Sequence, residues 1–318
     1  MRVEQGRVAA RPGGQVFQAM GAEERNVRTV RILASAKINL TLRVLGRRAD
    51  GYHEWCSLVT GVGLSDTLWF DPTESGRISL SCDDPELPTD ERNLVVRAAH
   101  RLAERAGGRG VHIRLEKSIP IAAGMGGGSS DAAATLRALN SLWEAGLDPE
   151  ELSGLGAELG SDVPLFFHLP AAVIQGRGEI VRPVRLRWAG WAGLVFGGVP
   201  VATKEVYAAL DARREIEAED GAAIEAILSA TRAEAIGPHL CNDLEPAVFR
   251  VSPAMERLFG QVRDGGGRFA RISGAGSTVY SLFDDEAGAR AWVERLRRSR
   301  LGAATAVVHV LDGDPTTP

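Results

Sequence analysis

The 318-residue sequence contains few cysteines and no long apolar run, and these scarcities exclude several classes of protein. Its three cysteines, Cys56, Cys82 and Cys241, are too few and too scattered for a disulfide framework or a zinc site. The longest apolar run, residues 163–174, is interrupted by a histidine and a proline and is too short to cross a bilayer. A formal net charge of −4 argues against nucleic acid or an anionic membrane as a partner.

Residues 1–30 mix glycine, arginine, glutamine and glutamate without a sustained apolar period. They lack the apolar core of a secretory signal, so we expect a cytoplasmic protein with a disordered or weakly ordered N-terminal tail. The whole chain is 44% hydrophobic and 25% charged, which is ordinary for a globular protein. Its length favours two domains that share a cleft.

The most informative segment is residues 120–134, PIAAGMGGGSSDAAA, in which four glycines lead into an alanine-rich helix. Glycine lets backbone N–H groups approach a ligand closely, and a helix N-terminus adds unpaired donors and partial positive charge. The segment therefore predicts a phosphate-binding loop. The helix is indicated by four apolar residues that share one face, Ala132, Leu136, Leu139 and Trp143.

Three familiar glycine loops do not fit this segment. A Walker A loop needs a lysine after the glycines, and none follows here. Ser129 stands where a dinucleotide fingerprint has its third glycine, and Asp131 stands where a nucleophile elbow has its last one. A flexible linker remains as an alternative, but linkers do not begin with an apolar Pro-Ile-Ala-Ala and end in an amphipathic helix.

Periodicity predicts a mixture of strands and helices along the rest of the chain. Alternating apolar residues predict strands at 38–44, 77–82, 111–117, 185–196 and 303–311, and a strand–turn–strand at 268–283. Helical spacing predicts helices at 93–105, 203–212 and 286–300, and a polar helical stretch to residue 235. Asp148, Pro149 and Glu151 predict the start of a further helix with a capping box. Mixed elements in two halves indicate an α+β architecture.

Two charged residues outside the glycine segment stand in unusual surroundings. Lys37 and Asn39 are two residues apart on a predicted strand, so they point to the same side of it. Asp162 lies between a helix end and a buried apolar run, where an unpaired charge is costly. Taken alone, Lys37 is compatible with a solvated surface lysine and Asp162 with a carboxylate that caps its own turn.

The glycine segment resembles the ATP-binding loop of the GHMP kinases, which include galactokinase, homoserine kinase, mevalonate kinase and phosphomevalonate kinase. Further segments match the same family: 34–40, 48–53, 160–167 and 271–279. The resemblance therefore covers residues 32–311. The resemblance implies an α+β fold of two domains, an N-terminal ATP-binding α/β domain (31–180) and a C-terminal ferredoxin-like domain (181–318), with a cleft between them.

The resemblance also assigns ATP as the phosphoryl donor. The implied ATP-binding residues are Pro120, Ala122, Ala123, Gly124, Met125, Gly126, Gly127, Gly128, Ser129, Ser130, Asn93 and Lys117. Met125 replaces the leucine usual before the triple glycine, a swap that conserves volume. Mg²⁺ is implied by ATP chemistry, but the sequence shows no clear set of carboxylate ligands.

The family pattern makes Asp162 the catalytic carboxylate that takes the proton of the substrate hydroxyl. Lys37 would then hold Asp162 and offset charge on the transferred phosphoryl group. This division suits phosphoryl transfer, in which catalysis consists mostly of positioning and charge stabilisation.

The acceptor implied by the resemblance is a small-molecule cytidine diphosphate derivative, bound by a protein that is a monomer or a weak homodimer. Substrate-binding positions carried over from the family are Asn39, Tyr52, His53, Thr203, Tyr207, Gly274 and Gly276. Tyr52 and Tyr207 would stack on the cytosine from opposite sides, and His53 would recognise its edge. Two alternatives remain: a GHMP kinase of the homoserine or mevalonate type, or a nucleotide-binding protein without catalysis.

Overall fold

The computed structural model describes residues 29–49, 51, 53–199, 201–210, 221–299 and 301–312. Two sequence predictions therefore lie wholly or mostly outside the described residues. They are the N-terminal tail, of which only residues 29 and 30 are described, and the cytosine-stacking role of Tyr52.

A large mixed sheet forms the N-terminal half of the molecule. Its strands in chain order are β1 (Val30–Asn39), β2 (Thr41–Arg47), β3 (His53–Thr73), β4 (Ile78–Cys82), β5 (Gly110–Glu116), β6 (Ala171–Gly176), β7 (Ile180–Pro183) and β9 (Cys241–Asn242). The long strand β3 pairs with β1, β2, β5 and β6 and is therefore the centre of the sheet. Because β7 pairs with β6, the sheet continues to Pro183; the domain boundary at residue 180 stays a prediction.

The single strand predicted at 38–44 is wrong, because the structure divides it at Leu40 into β1 and β2. Both pieces pair with β3, and the Leu40 N–H donates to the Leu58 carbonyl at 2.8 Å. β3 itself was not predicted. Its glycines interrupt the apolar pattern, yet packing requires them: a Cβ at Gly63 would lie 2.1 Å from the His309 ring.

Three helices of the N-terminal half share a hydrophobic core with this sheet. They are α1 (Leu94–Ala106), α2 (Gly127–Leu142) and α3 (Pro149–Leu159). The Asn93 side chain accepts from the Val95 N–H at the start of α1, and Asp148 and Glu151 form the predicted capping box at α3. The predicted apolar face of α2 is buried. A 3₁₀ helix, Pro164–Phe167, follows α3 and leads into β6.

The C-terminal half is built on a second, antiparallel sheet. Its strands are β8 (Trp191–Phe196), β10 (Arg271–Ile272), β11 (Thr278–Phe283) and β12 (Ala304–His309), in the order β10–β11–β8–β12. The helices in this half are α4 (Thr203–Ala209), α5 (Gly221–Ser229), α6 (Ala233–Ile236), α7 (Glu245–Val251), α8 (Pro253–Asp264) and α9 (Glu286–Arg298). The two sheets with their separate helices confirm the predicted α+β class. Among the described residues, no helix is long and apolar enough to span a membrane.

Candidate active site

A cleft of about 1320 Å³ is lined by several of the sequence-predicted residues, which come from both halves of the chain. Its walls include Lys37 and Asn39 of β1, His53 of β3, the glycine loop before α2, Asp162, the helix α4 and Gly274. Lys37 and Asp162 are 125 positions apart in the sequence (162 − 37) and meet here because β1 and the segment after α3 flank the start of α2.

The glycine loop has a backbone that other residues would strain. Gly124 and Gly126 have φ values of 73° and 71°, in the left-handed region. A Cβ at Gly126 would lie 2.7 Å from the Phe166 ring, and one at Gly124 would lie 2.2 Å from the Ser273 carbonyl oxygen. Gly126 is the N-cap of α2 and offers no side chain to the first turn. The N–H groups of that turn are therefore suited to an anionic ligand such as a phosphate.

Hydrogen bonds from both halves hold this loop in place. The Lys37 N–H donates to the Met125 carbonyl at 3.0 Å, and the Thr278 N–H donates to the Ala123 carbonyl at 3.1 Å. The Ser273 hydroxyl donates to the Gly124 carbonyl at 2.9 Å. Residues of the C-terminal glycine motif thus contact the glycine loop directly, and Gly274 lines the cleft. Gly276 is also close to the glycine loop, because its carbonyl oxygen lies 2.8 Å from the position of a Cβ at Gly124.

Lys37 is 5% exposed, and its ammonium donates a 2.7 Å hydrogen bond to the Asn39 side-chain oxygen. Burial lowers the pKa of Lys37, while the nearby Asp162 carboxylate acts in the opposite direction. Asp162 is half-buried in the cleft wall and follows directly after the end of α3. The site therefore presents a cation and a carboxylate to the same cavity.

The predicted adenine-side residues Asn93 and Lys117 have internal partners. The Asn93 amide donates to the Pro88 carbonyl at 2.8 Å, in addition to capping α1. The Lys117 ammonium donates to the carboxylates of Asp66 and, at 2.9 Å, Asp131. The Ser130 hydroxyl donates to the Ser35 carbonyl at 2.8 Å. Their contacts with ATP stay predictions.

Sequence reasoning missed the two carboxylates that surround Lys117. Asp66 also accepts from the N–H groups of Ser118 and Ile119, at 2.6 and 2.8 Å. Burial raises the pKa of Asp131 to about 7, although the charge of Lys117 opposes the rise. Burial alone would lower the pKa of Lys117, but the two carboxylates outweigh it and raise that pKa. This buried cluster fixes the lysine beside the first turn of α2.

Two residues of the predicted cytosine site contact each other. The rings of His53 and Tyr207 are stacked, with centroids 5.1 Å apart and an interplanar angle of 26°. Burial raises the pKa of Tyr207, and the Asp162 charge adds to the rise. Burial also lowers the pKa of His53, with Arg47 contributing. Both rings and Thr203 line the cleft, and rings in stacking contact leave no gap for a base between them.

The two halves of the fold and the glycine-lined cleft define a GHMP kinase. The family model "GHMP kinases N terminal domain" matches residues 93–169, and "GHMP kinases C terminal" matches residues 222–300. A homoserine kinase from Cytophaga hutchinsonii has the same fold, with a TM-score of 0.70 at 18% identity, covering 93% of this chain and 97% of its own.

Proteins with higher sequence identity to this chain indicate which group of GHMP kinases it belongs to. A protein from Pelotomaculum thermopropionicum named 4-diphosphocytidyl-2-C-methyl-D-erythritol kinase is 42% identical over 270 residues, covering 84% of this chain and 93% of the relative. One of the same name from Symbiobacterium thermophilum is also 42% identical, over 82% and 93% of the two chains. A crystal structure of 4-(cytidine 5'-diphospho)-2C-methyl-D-erythritol kinase matches at a TM-score of 0.77 and 37% identity, covering 89% of this chain and all of its own. The chain belongs to the 4-diphosphocytidyl-2-C-methyl-D-erythritol kinase family of GHMP kinases.

Proposed function

We propose that this kinase transfers the γ-phosphoryl group of ATP to the 2-hydroxyl of 4-diphosphocytidyl-2-C-methyl-D-erythritol, giving the 2-phosphate and ADP. The step belongs to the non-mevalonate route of isoprenoid synthesis. The observation that carries the proposal is that Lys37 and Asp162 line the same cleft as the glycine loop and the aromatic pair His53 and Tyr207. This arrangement supports a donor site, a reacting pair and an acceptor site that lie next to one another.

The glycine loop is proposed as the site of the ATP phosphates. The backbone of Gly124 and Gly126 has no room for a Cβ. The N-terminus of α2 has no side-chain cap, so its N–H groups and the helix dipole can attract anions. These features fit the phosphates of a nucleoside triphosphate.

Mg²⁺ is proposed to enter with ATP. Among the described residues there is no group of three or more histidine, cysteine, aspartate or glutamate side chains able to hold a metal ion. Such a site suits a magnesium ion bound mainly by phosphate oxygens and water, which is how Mg²⁺ commonly binds with ATP. When bound, the ion neutralises charge on the phosphates.

The protein's own part in the reaction is positioning and charge. In our proposal Asp162 orients the 2-hydroxyl and accepts its proton as the hydroxyl oxygen bonds to the γ-phosphorus and the bond to the ADP oxygen breaks. Lys37, buried and fixed by Asn39, places a positive charge beside the oxygens of the transferred group. Because the transition state is loose, a carboxylate that accepts the proton late is sufficient.

The cytidine group is proposed to bind at the α4 side of the cleft. Tyr207 offers a ring face, and stacking on an aromatic side chain is worth about 1–3 kcal/mol per base. Since His53 stacks on Tyr207, we propose that cytosine either takes the other face of Tyr207 or displaces His53 towards the base edge. Asn39, Thr203 and Gly274 would contact the erythritol and diphosphate groups near the reacting pair.

The test is an ADP-release assay with purified protein and three acceptors: the cytidylated erythritol, homoserine and mevalonate. We expect turnover on the cytidylated acceptor alone, with cytidine diphosphate as a competitive inhibitor against it. Turnover only on homoserine or mevalonate would refute the proposed acceptor. ATP binding without turnover on any of the three would instead indicate a nucleotide-binding protein that lacks catalysis.

A further inference from the structure

Ser57 is a wholly buried residue of β3 that is linked to Lys37 through the side chain of Asn39. Its hydroxyl donates to the Thr41 carbonyl of β2 and accepts a 2.8 Å hydrogen bond from the Asn39 amide nitrogen. The Asn39 side-chain oxygen in turn accepts from the Lys37 ammonium at 2.7 Å. Three consecutive hydrogen bonds therefore connect the main chain of β2 to the cation of the active site.

The direction of each bond follows from what the two ends can do. A carbonyl oxygen only accepts, so the single hydrogen of the Ser57 hydroxyl is committed to Thr41. Towards Asn39 the hydroxyl can then only accept, so the amide must turn its NH₂ group to Ser57. The amide oxygen consequently faces Lys37, whose ammonium only donates. The Ser57 hydroxyl and the Lys37 ammonium therefore select the same orientation of the Asn39 amide.

This orientation matters because Lys37 is buried on a flexible stem. A charge-assisted hydrogen bond to a fixed acceptor holds the ammonium in one place, and burial makes the loss of that acceptor costly. Without the Ser57 acceptor, the buried Asn39 NH₂ group loses its partner, and the amide is then held only at its oxygen, by Lys37 at 2.7 Å and by the Ser273 hydroxyl at 3.5 Å. We infer that Ser57 is a positioning residue for Lys37, acting through the Asn39 side chain.

The rest of Asn39 is held independently of Ser57. The Tyr280 hydroxyl donates to the Asn39 carbonyl at 2.7 Å, and Asn39 lies within the β1–β3 ladder opposite Val59. Truncating Ser57 should therefore free the amide without moving the strand. The effect expected of a Ser57 variant is a misplaced Lys37, with the ATP site intact and the acceptor site altered only at Asn39.

This inference rests on the proposed role of Lys37, so Lys37→Ala is measured alongside Ser57→Ala. We expect Ser57→Ala to lower kcat by about 10- to 100-fold, the scale of a misplacement of about 1 Å. KM for ATP should change by less than about threefold, because ground-state binding of ATP is retained. Ser57→Thr, which keeps the hydroxyl, should restore most of kcat. Ser281→Ala, another buried serine in the second sheet, is the control and should leave kcat unchanged.

The double variant Ser57→Ala/Lys37→Ala separates positioning from a general structural effect. If Ser57 acts through Lys37, its truncation should add no further loss of kcat once Lys37 is gone. Additive losses, or a normal kcat for Ser57→Ala, would overturn the inference. A normal kcat for Lys37→Ala would instead refute the proposed role of the lysine. Should Ser57→Ala fail to fold, Ser57→Cys has a similar volume with a weaker hydrogen-bonding group, and a normal kcat there would overturn the inference equally.

Discussion

The hydroxyl of Ser273 donates a 2.9 Å hydrogen bond to the main-chain oxygen of Gly124, joining the two glycine motifs of the chain. The approach is close enough that a Cβ at Gly124 would lie 2.2 Å from the Ser273 carbonyl oxygen. The glycine loop of the N-terminal half is thus shaped in part by the C-terminal half. This part of the cleft wall therefore depends on residues from both halves of the chain.

Gly124→Ala should therefore separate the two motifs. Two costs combine: a non-glycine residue at a φ of 73° costs about 1–2 kcal/mol, and the methyl group meets backbone that cannot rotate away. We expect kcat/KM for ATP to fall by about 100-fold, because the loop no longer holds the phosphates in line. Steady-state kinetics at varied ATP concentration measures the loss.

Gly146→Ala is the matched control for this substitution. Gly146 has a φ of 71°, and no atom of the described residues lies within 4 Å of a Cβ placed there, apart from its chain neighbours. It carries the same backbone cost without the clash. Equal losses of kcat/KM in the two variants would show that the contact with Ser273 does not shape the loop.

Local signals explain which parts of this fold could be predicted from the sequence. The capping box at Asp148 and the glycine loop before α2 depend on neighbouring residues, and the structure has them as predicted. β3 depends instead on four partner strands. Gly63 leaves room for the ring of His309, which is 246 positions away in the sequence (309 − 63). A pattern read along the chain cannot contain that information.

The same distinction applies to the site. Lys37, Asp162 and the glycines were predicted through motifs, and the cleft brings them together. The cluster around Lys117 was missed because Asp66 is 51 positions from the lysine and belongs to the unpredicted strand β3. Ser57, on the same strand, was missed for the same reason.

Asp162→Asn tests the proposed proton acceptor. Asparagine has the same shape but cannot take a proton, so kcat should fall by about 10²- to 10⁴-fold, the range typical of a positioned base. Asp162 is half-buried and mostly lines the cleft, so the midpoint of thermal unfolding should stay close to that of the parent protein. Asp264→Asn, at an exposed carboxylate ending α8, is the control. Near-normal turnover by Asp162→Asn would remove the carboxylate from the mechanism.

Asp131 should make the stability of the fold dependent on pH. Burial raises its pKa from 3.8 to about 7, so between these values the folded protein binds more protons than the unfolded chain. The free energy of unfolding should then fall as the pH rises from about 4 to about 7. In Asp131→Asn this contribution should disappear, so the urea midpoint of the variant should fall less steeply over the same range. Parallel pH dependences in the two proteins would contradict the assignment.

Tyr207→Ala tests the acceptor site separately from the ATP site. Loss of one stacked ring should raise KM for the cytidylated acceptor by roughly 5- to 150-fold, the equivalent of about 1–3 kcal/mol. KM for ATP should stay within about twofold, since the glycine loop and α4 are separate elements of the cleft wall. Tyr207→Phe keeps the ring that stacks on His53 and should retain the parent KM. If the alanine and phenylalanine variants raise KM equally, the hydroxyl of Tyr207 and not its ring face recognises the substrate.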